Sequence, residues 1–91
     1  MNSNSAYAYL NRGIARAKLG DNKAAIEDFN QALQINPNSA LTYYNRGFAR
    51  ADLGDKQGAI EDFQQAAKLY QEQGNRYSSE MALAEIAKLQ K

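Results

Sequence analysis

The side chains with the strongest chemical character are arginines and carboxylates, and both recur at one spacing. Arg12 and Arg16 return as Arg46 and Arg50, and Glu27-Asp28 returns as Glu61-Asp62, each 34 residues later. Adjacent carboxylates are the raw material of general acid–base catalysis, and a row of guanidinium groups suits phosphate or an acidic peptide. Catalysis needs more than this chain offers. There is no histidine and no cysteine, which removes the commonest general base, the commonest metal ligand and the thiolate nucleophile. Gly20 and Gly54 stand alone and form no phosphate-cradling loop. The sequence therefore reads as non-catalytic, with no metal site and no cofactor. Two arginines at i and i+4 of a helix repel by about 0.2–0.5 kcal/mol. That they recur together with the carboxylates points to structural ion pairs, Arg12 with Asp28 and Arg46 with Asp62, each tying two helices together. The competing reading is an arginine row that binds phosphate or an acidic peptide.

These spacings belong to a larger repetition. Residues 6–39 and 40–73 align without a gap and share 18 identical pairs out of 34, where chance gives roughly two, so the chain is a repeat protein. Within each copy the residues are mostly good helix formers, and no segment alternates with period two. Ser5 is expected to cap a helix over about 6–19, and Gly20 supplies a left-handed stop before a cap at Asp21. The second helix runs to about residue 35, ahead of Asn36-Pro37. Ser39 caps a third helix over about 40–53, and Gly54-Asp55 repeats the stop and start. The fourth helix begins near Lys56 and has Gln71 where the first copy has proline, so it is expected to run about one turn longer, to Gln73. Gly74 ends it. A fifth helix over about 76–90 carries Met81, Leu83, Ile86 and Leu89. At about 100° per residue Tyr9, Gly13 and Arg16 share one side of the first helix, and Ala25, Phe29 and Ala32 one side of the second. Glycine and alanine at such a contact let two backbones approach with phenylalanine filling the space beside them.

The charges nearly cancel, with 11 basic and 10 acidic residues, which argues against nucleic acid or an anionic membrane as the partner. No apolar run approaches the roughly 20 residues that span a bilayer, and the polar first residues do not resemble a signal peptide. The expectation is a soluble, cytoplasmic chain.

The pattern resembles the tetratricopeptide repeat, a 34-residue helix-turn-helix unit. The first copy matches with Tyr9, Gly13, Ala25, Phe29 and Pro37, the second with Tyr43, Gly47, Ala59, Phe63 and Ala66. The resemblance implies an all-α, right-handed α-solenoid of five helices. It divides into a flexible lead over 1–5, repeats over 6–39 and 40–73, and a capping helix over 74–91. Tyr77 falls where a third repeat would place its aromatic, with Met81 in place of the packing glycine.

The resemblance also implies a function. In this family the first helix of each repeat lines a concave groove for extended or helical peptides. On the wheel that face carries Tyr7, Leu10, Asn11, Ile14, Ala17 and Lys18, then Leu41, Tyr44, Asn45, Phe48, Ala51 and Asp52. Asn75, Ser78 and Ala82 are expected to continue it, and Lys18 and Asp52 to pair across it. The face is apolar and aromatic for exposed positions, which marks an interface. The family's clamp for a C-terminal carboxylate is not expected, because the matching positions are Leu10, Ile14, Asn45, Asn75 and Ser79, of which only Asn45 agrees. The implied function is a protein-interaction scaffold that takes an apolar or helical segment of a protein partner. The alternative is a self-associating fragment of a longer array, a homodimer whose groove another copy buries.

Overall fold

A computed structural model describes residues 3–91 of the chain. Its elements are α1 (Ser3–Lys18), α2 (Asn22–Ile35), α3 (Ala40–Asp52), α4 (Lys56–Glu72) and α5 (Arg76–Leu89), with no strand among the described residues. The caps explain most boundaries. Asp21, Ser39, Asp55 and Asn75 each accept a hydrogen bond from the backbone N–H three residues on, at Ala24, Thr42, Gly58 and Ser78, which satisfies a donor that the helix start leaves orphaned. At the other ends Gly20, Gly54 and Gly74 adopt φ of 87°, 88° and 77°, the left-handed conformation that an L side chain resists.

The first helix starts earlier than the sequence suggests. It begins at Ser3, so Ser5 lies inside it rather than capping it, and part of the expected flexible lead is helical. Neither glycine nor proline interrupts the run from Ser3 to Ala8, so the first turn extends through residues whose N–H groups need no partner four back. Residues 1 and 2 lie outside the described residues.

Consecutive helices pack in antiparallel pairs, α1 on α2 and α3 on α4, with α3 also against α2 and α5 closing on α4. The molecule measures 36 × 30 × 17 Å, and its short dimension is under two helix diameters of about 10–12 Å. It is a helical-repeat solenoid. Each pair is sealed by a phenylalanine, Phe29 and Phe63, at 0% and 1% exposure. A Cβ on Gly13 would lie 2.6 Å from the Phe29 ring, and one on Gly47 2.9 Å from that of Phe63. Only glycine lets these backbones close on the rings. Burying each ring stabilises by about 2–3 kcal/mol. No helix of the described residues is long and apolar enough to cross a membrane.

Helix α5 departs from the 34-residue register. In α3 the buried residues include Thr42 and Ala49; in α5 they are Ser79, Ala82 and Ile86. Ser79 and Ile86 repeat the seven-residue spacing of Thr42 and Ala49 at an offset of 37, while Arg76 and Leu83, at offset 34, are exposed. The cause is α4, which continues to Glu72, three residues past the point equivalent to Ile35, the end of α2. Without proline the helix gains most of a turn and α5 enters three residues late. The expectation that Met81 stands in for the packing glycine is thereby corrected.

Candidate protein-interaction site

The arginines and carboxylates form two clusters of one design. Arg12 grips Asp28 with both prongs of its guanidinium, Nη2 to Oδ1 at 2.8 Å and Nε to Oδ2 at 3.1 Å, and Arg16 Nη1 adds a third bond to Oδ2 at 3.2 Å. Arg46 grips Asp62 in the same way at 2.8 and 2.9 Å, with Arg50 at 3.1 Å. Both carboxylates are 3% exposed, so each needs the charge-assisted bonds it receives. The i,i+4 repulsion is relieved because each pair of arginines converges on one aspartate, a role for Arg16 and Arg50 that the sequence did not reveal. Glu27 and Glu61 take no part; Glu61 instead accepts from Gln57 Nε2 at 3.3 Å. The hydrogen bond and charge of Asp28 hold the Arg12 guanidinium protonated above its usual range. Arg46 spends its remaining prong on Asn30 Oδ1 of α2 at 2.8 Å, linking the two helix pairs. All four arginines are engaged with these two carboxylates.

The apolar face divides. Tyr7, Leu41 and Phe48 are exposed by 62, 45 and 38%, and Asn11 is exposed with Ile14 half-buried. Leu10 does not belong to this face. It is 4% exposed and lies in the core with Ala25, Phe29, Ala32 and Ala49, because α3 crosses over it. Ala82, expected to continue the face, is fully buried, and Asn75 is occupied as the cap of α5; both follow from the late entry of α5. Lys18 and Asp52 are exposed and form no ion pair among the described residues. Asn45 donates its amide to the carbonyl of Leu41 at 2.9 Å, and Ser79 donates to that of Ala67 at 3.0 Å, so neither is poised for a ligand carboxylate.

Aromatic stacking organises what remains. The Tyr44 ring meets Phe48, Phe63 and Tyr70 edge-on at centroid distances of 4.9, 5.6 and 6.4 Å, the geometry that ring quadrupoles favour. Burial raises the Tyr44 and Tyr70 phenols above the usual tyrosine value, and the charge of Glu85 raises Tyr44 further. Beside these rings opens a pocket of about 250 Å³ lined by Leu41, Tyr44, Tyr70, Tyr77, Ser78 and Met81. The repeat pattern alone does not mark Tyr70, Tyr77 and Met81 as binding residues. The signal was present in Tyr70, which stands where the first copy has Asn36.

Residues 15–54 match a family model described as TPR repeat, and residues 40–73 match one described as tetratricopeptide repeat. The chain belongs to the tetratricopeptide repeat family. Tetratricopeptide repeats are in general protein–protein interaction modules, typically without catalytic activity, and the stacked pairs sealed by Gly13–Phe29 and Gly47–Phe63 are the frame that holds such a surface rigid. No curated protein matches the chain.

Proposed function

We propose that the chain is a non-catalytic module that binds an apolar segment of a protein partner along the face of α1, α3 and the start of α5. The observation that carries this reading is the run of apolar side chains left uncovered there: Tyr7, Leu41, Phe48, Tyr77 and Met81. Solvated surfaces rarely group so many large apolar side chains without a partner. The half-buried Ile14, Tyr44 and Asn45 complete the surface, with Asn11 offering a neutral amide and Lys18 and Asp52 a charged rim. Absence of histidine and cysteine from the sequence supports the non-catalytic half of the reading.

The test is titration of the chain with partner peptides followed by NMR, comparing wild type with Tyr7→Ala and Leu41→Ala. Both positions are exposed, so the variants keep the fold; loss of shifts confined to this face supports the site, and unchanged binding removes it. The same apolar surface is also suited to a second copy of the chain. In that reading the mass measured by light scattering rises with concentration above 10.1 kDa and the rise disappears in Phe48→Ala.

A further inference from the structure

The pocket beside Tyr44 has a counterpart one repeat earlier, and the two differ in a way that selects a ligand. The earlier one, lined by Tyr7, Leu10, Asn36, Ser39 and Thr42 among others, holds about 40 Å³, room for little more than a water. The later one holds about 250 Å³. Two differences accompany the larger space: Tyr70 lines it where the first copy has Asn36, and α5, which enters late after the extended α4, places Tyr77 and Met81 on its wall. Its lining carries no formal charge. Glu85, whose charge reaches Tyr44, is itself engaged by Lys88 at 3.1 Å. The polar groups on the wall are the hydroxyls of three tyrosines and Ser78, all able to donate.

We infer that this pocket is the specificity subsite of the groove and takes a neutral, proline-rich extended segment. The inference rests on the groove reading above and narrows it. An α-helix with its side chains is about 10–12 Å across, too broad to enter a space of this volume, whereas ring-sized side chains fit. A β-extended segment would bring backbone N–H groups against the faces of tyrosine rings, where the hydroxyls at the ring tips and on Ser78 are the main side-chain acceptors of the lining. Proline has no N–H to satisfy, and a polyproline segment presents carbonyls outward to hydroxyl donors in a conformation already ordered before binding. Angled aromatic rings flanked by Leu41 and Met81 match the way aromatic-lined grooves recognise such segments. Tyr77, 73% exposed, is the free wall of the pocket.

The experiment uses two fluorescent probe peptides on the full chain: a neutral repeat of Pro-Pro-Leu and an uncharged amphipathic helix with leucines at i and i+4. The expected result is binding of the proline peptide, weakened about tenfold or more by Tyr77→Ala and by Tyr70→Asn, which restores the first repeat's residue. Tyr77→Ala removes an exposed ring and leaves the fold intact, so circular dichroism of that variant stays that of wild type. Proline-peptide binding indifferent to Tyr77→Ala overturns the subsite. Binding of the helical peptide alone overturns it too, yet leaves the groove reading standing. If neither peptide binds at millimolar concentration, both readings fall.

Discussion

Asp28 and Asp62 accept the same three hydrogen bonds, yet their surroundings set different values on them. Arg46 and Arg50 are 16 and 26% exposed, against 55 and 37% for Arg12 and Arg16, because α2 covers the second cluster and nothing described covers the first. Removing Asp62 would strand two half-buried cations that repel each other, so Asp62→Ala is expected to cost about 3 kcal/mol. Asp28→Ala leaves its arginines free to turn into water and is expected to cost about 1 kcal/mol. Urea unfolding of both variants measures the difference, and equal costs would mean that coverage by α2 adds nothing. Gly47→Ala tests a neighbouring residue. The new methyl would press on the Phe63 ring, which lies wedged between helices. Overpacking at about 1–3 kcal/mol therefore outweighs the roughly 1 kcal/mol that alanine offers a helix, and a lowered urea midpoint is the outcome to look for.

Helix α4 decides the shape of the second half. Its last turn exists because Gln71 stands where the first copy has Pro37, and that turn carries Tyr70 to the pocket and shifts α5 by three residues. Gln71→Pro is expected to end the helix before it, to cost about 3 kcal/mol and to move the amide chemical shifts of α5 as a block. A shift confined to residues 68–73 would show that α5 is placed by its own contacts alone. The helices themselves were legible in the sequence, since Asp21, Ser39 and Asp55 at the starts and the left-handed glycines at the ends are local signals. The ion pairs were partly legible, through the shared period of Arg12 with Asp28 and Arg46 with Asp62. What a helical wheel does not show is which neighbour crosses a face. Leu10 and Ile14 share a wheel face, yet α3 buries the first and leaves the second half-open. Ala82 and Met81 exchanged roles for a similar reason, because three extra residues in one helix rotate the next.

At the scale of the whole molecule, each helix pair is completed by the next one. Phe63 and Ala59 rest on Ile86, and Ala66 and Ala67 on Ala82, so α5 is part of the second repeat's core and not an appendage. A chain ending at Gln73 loses that cover, and stacked repeats draw their stability from neighbours. It is expected to lose most of its helical circular dichroism at 222 nm, while a chain carrying only Tyr77→Ala does not. The tyrosines at the same junction give the assembly a pH limit. Burial raises the Tyr44 and Tyr70 phenols above the usual value of 10.0, so the folded chain holds these protons more tightly than the unfolded one. Above pH 10 the unfolded chain releases them first, and the difference in bound protons drains stability as pH climbs through the folded values. Below pH 10 both states are neutral there and the contribution is intact. The urea midpoint is therefore expected to fall on the alkaline side of pH 10, and Tyr44→Phe with Tyr70→Phe to flatten the fall. A slope unchanged in the double variant would place the alkaline loss elsewhere in the chain and leave the tyrosine junction insensitive to pH.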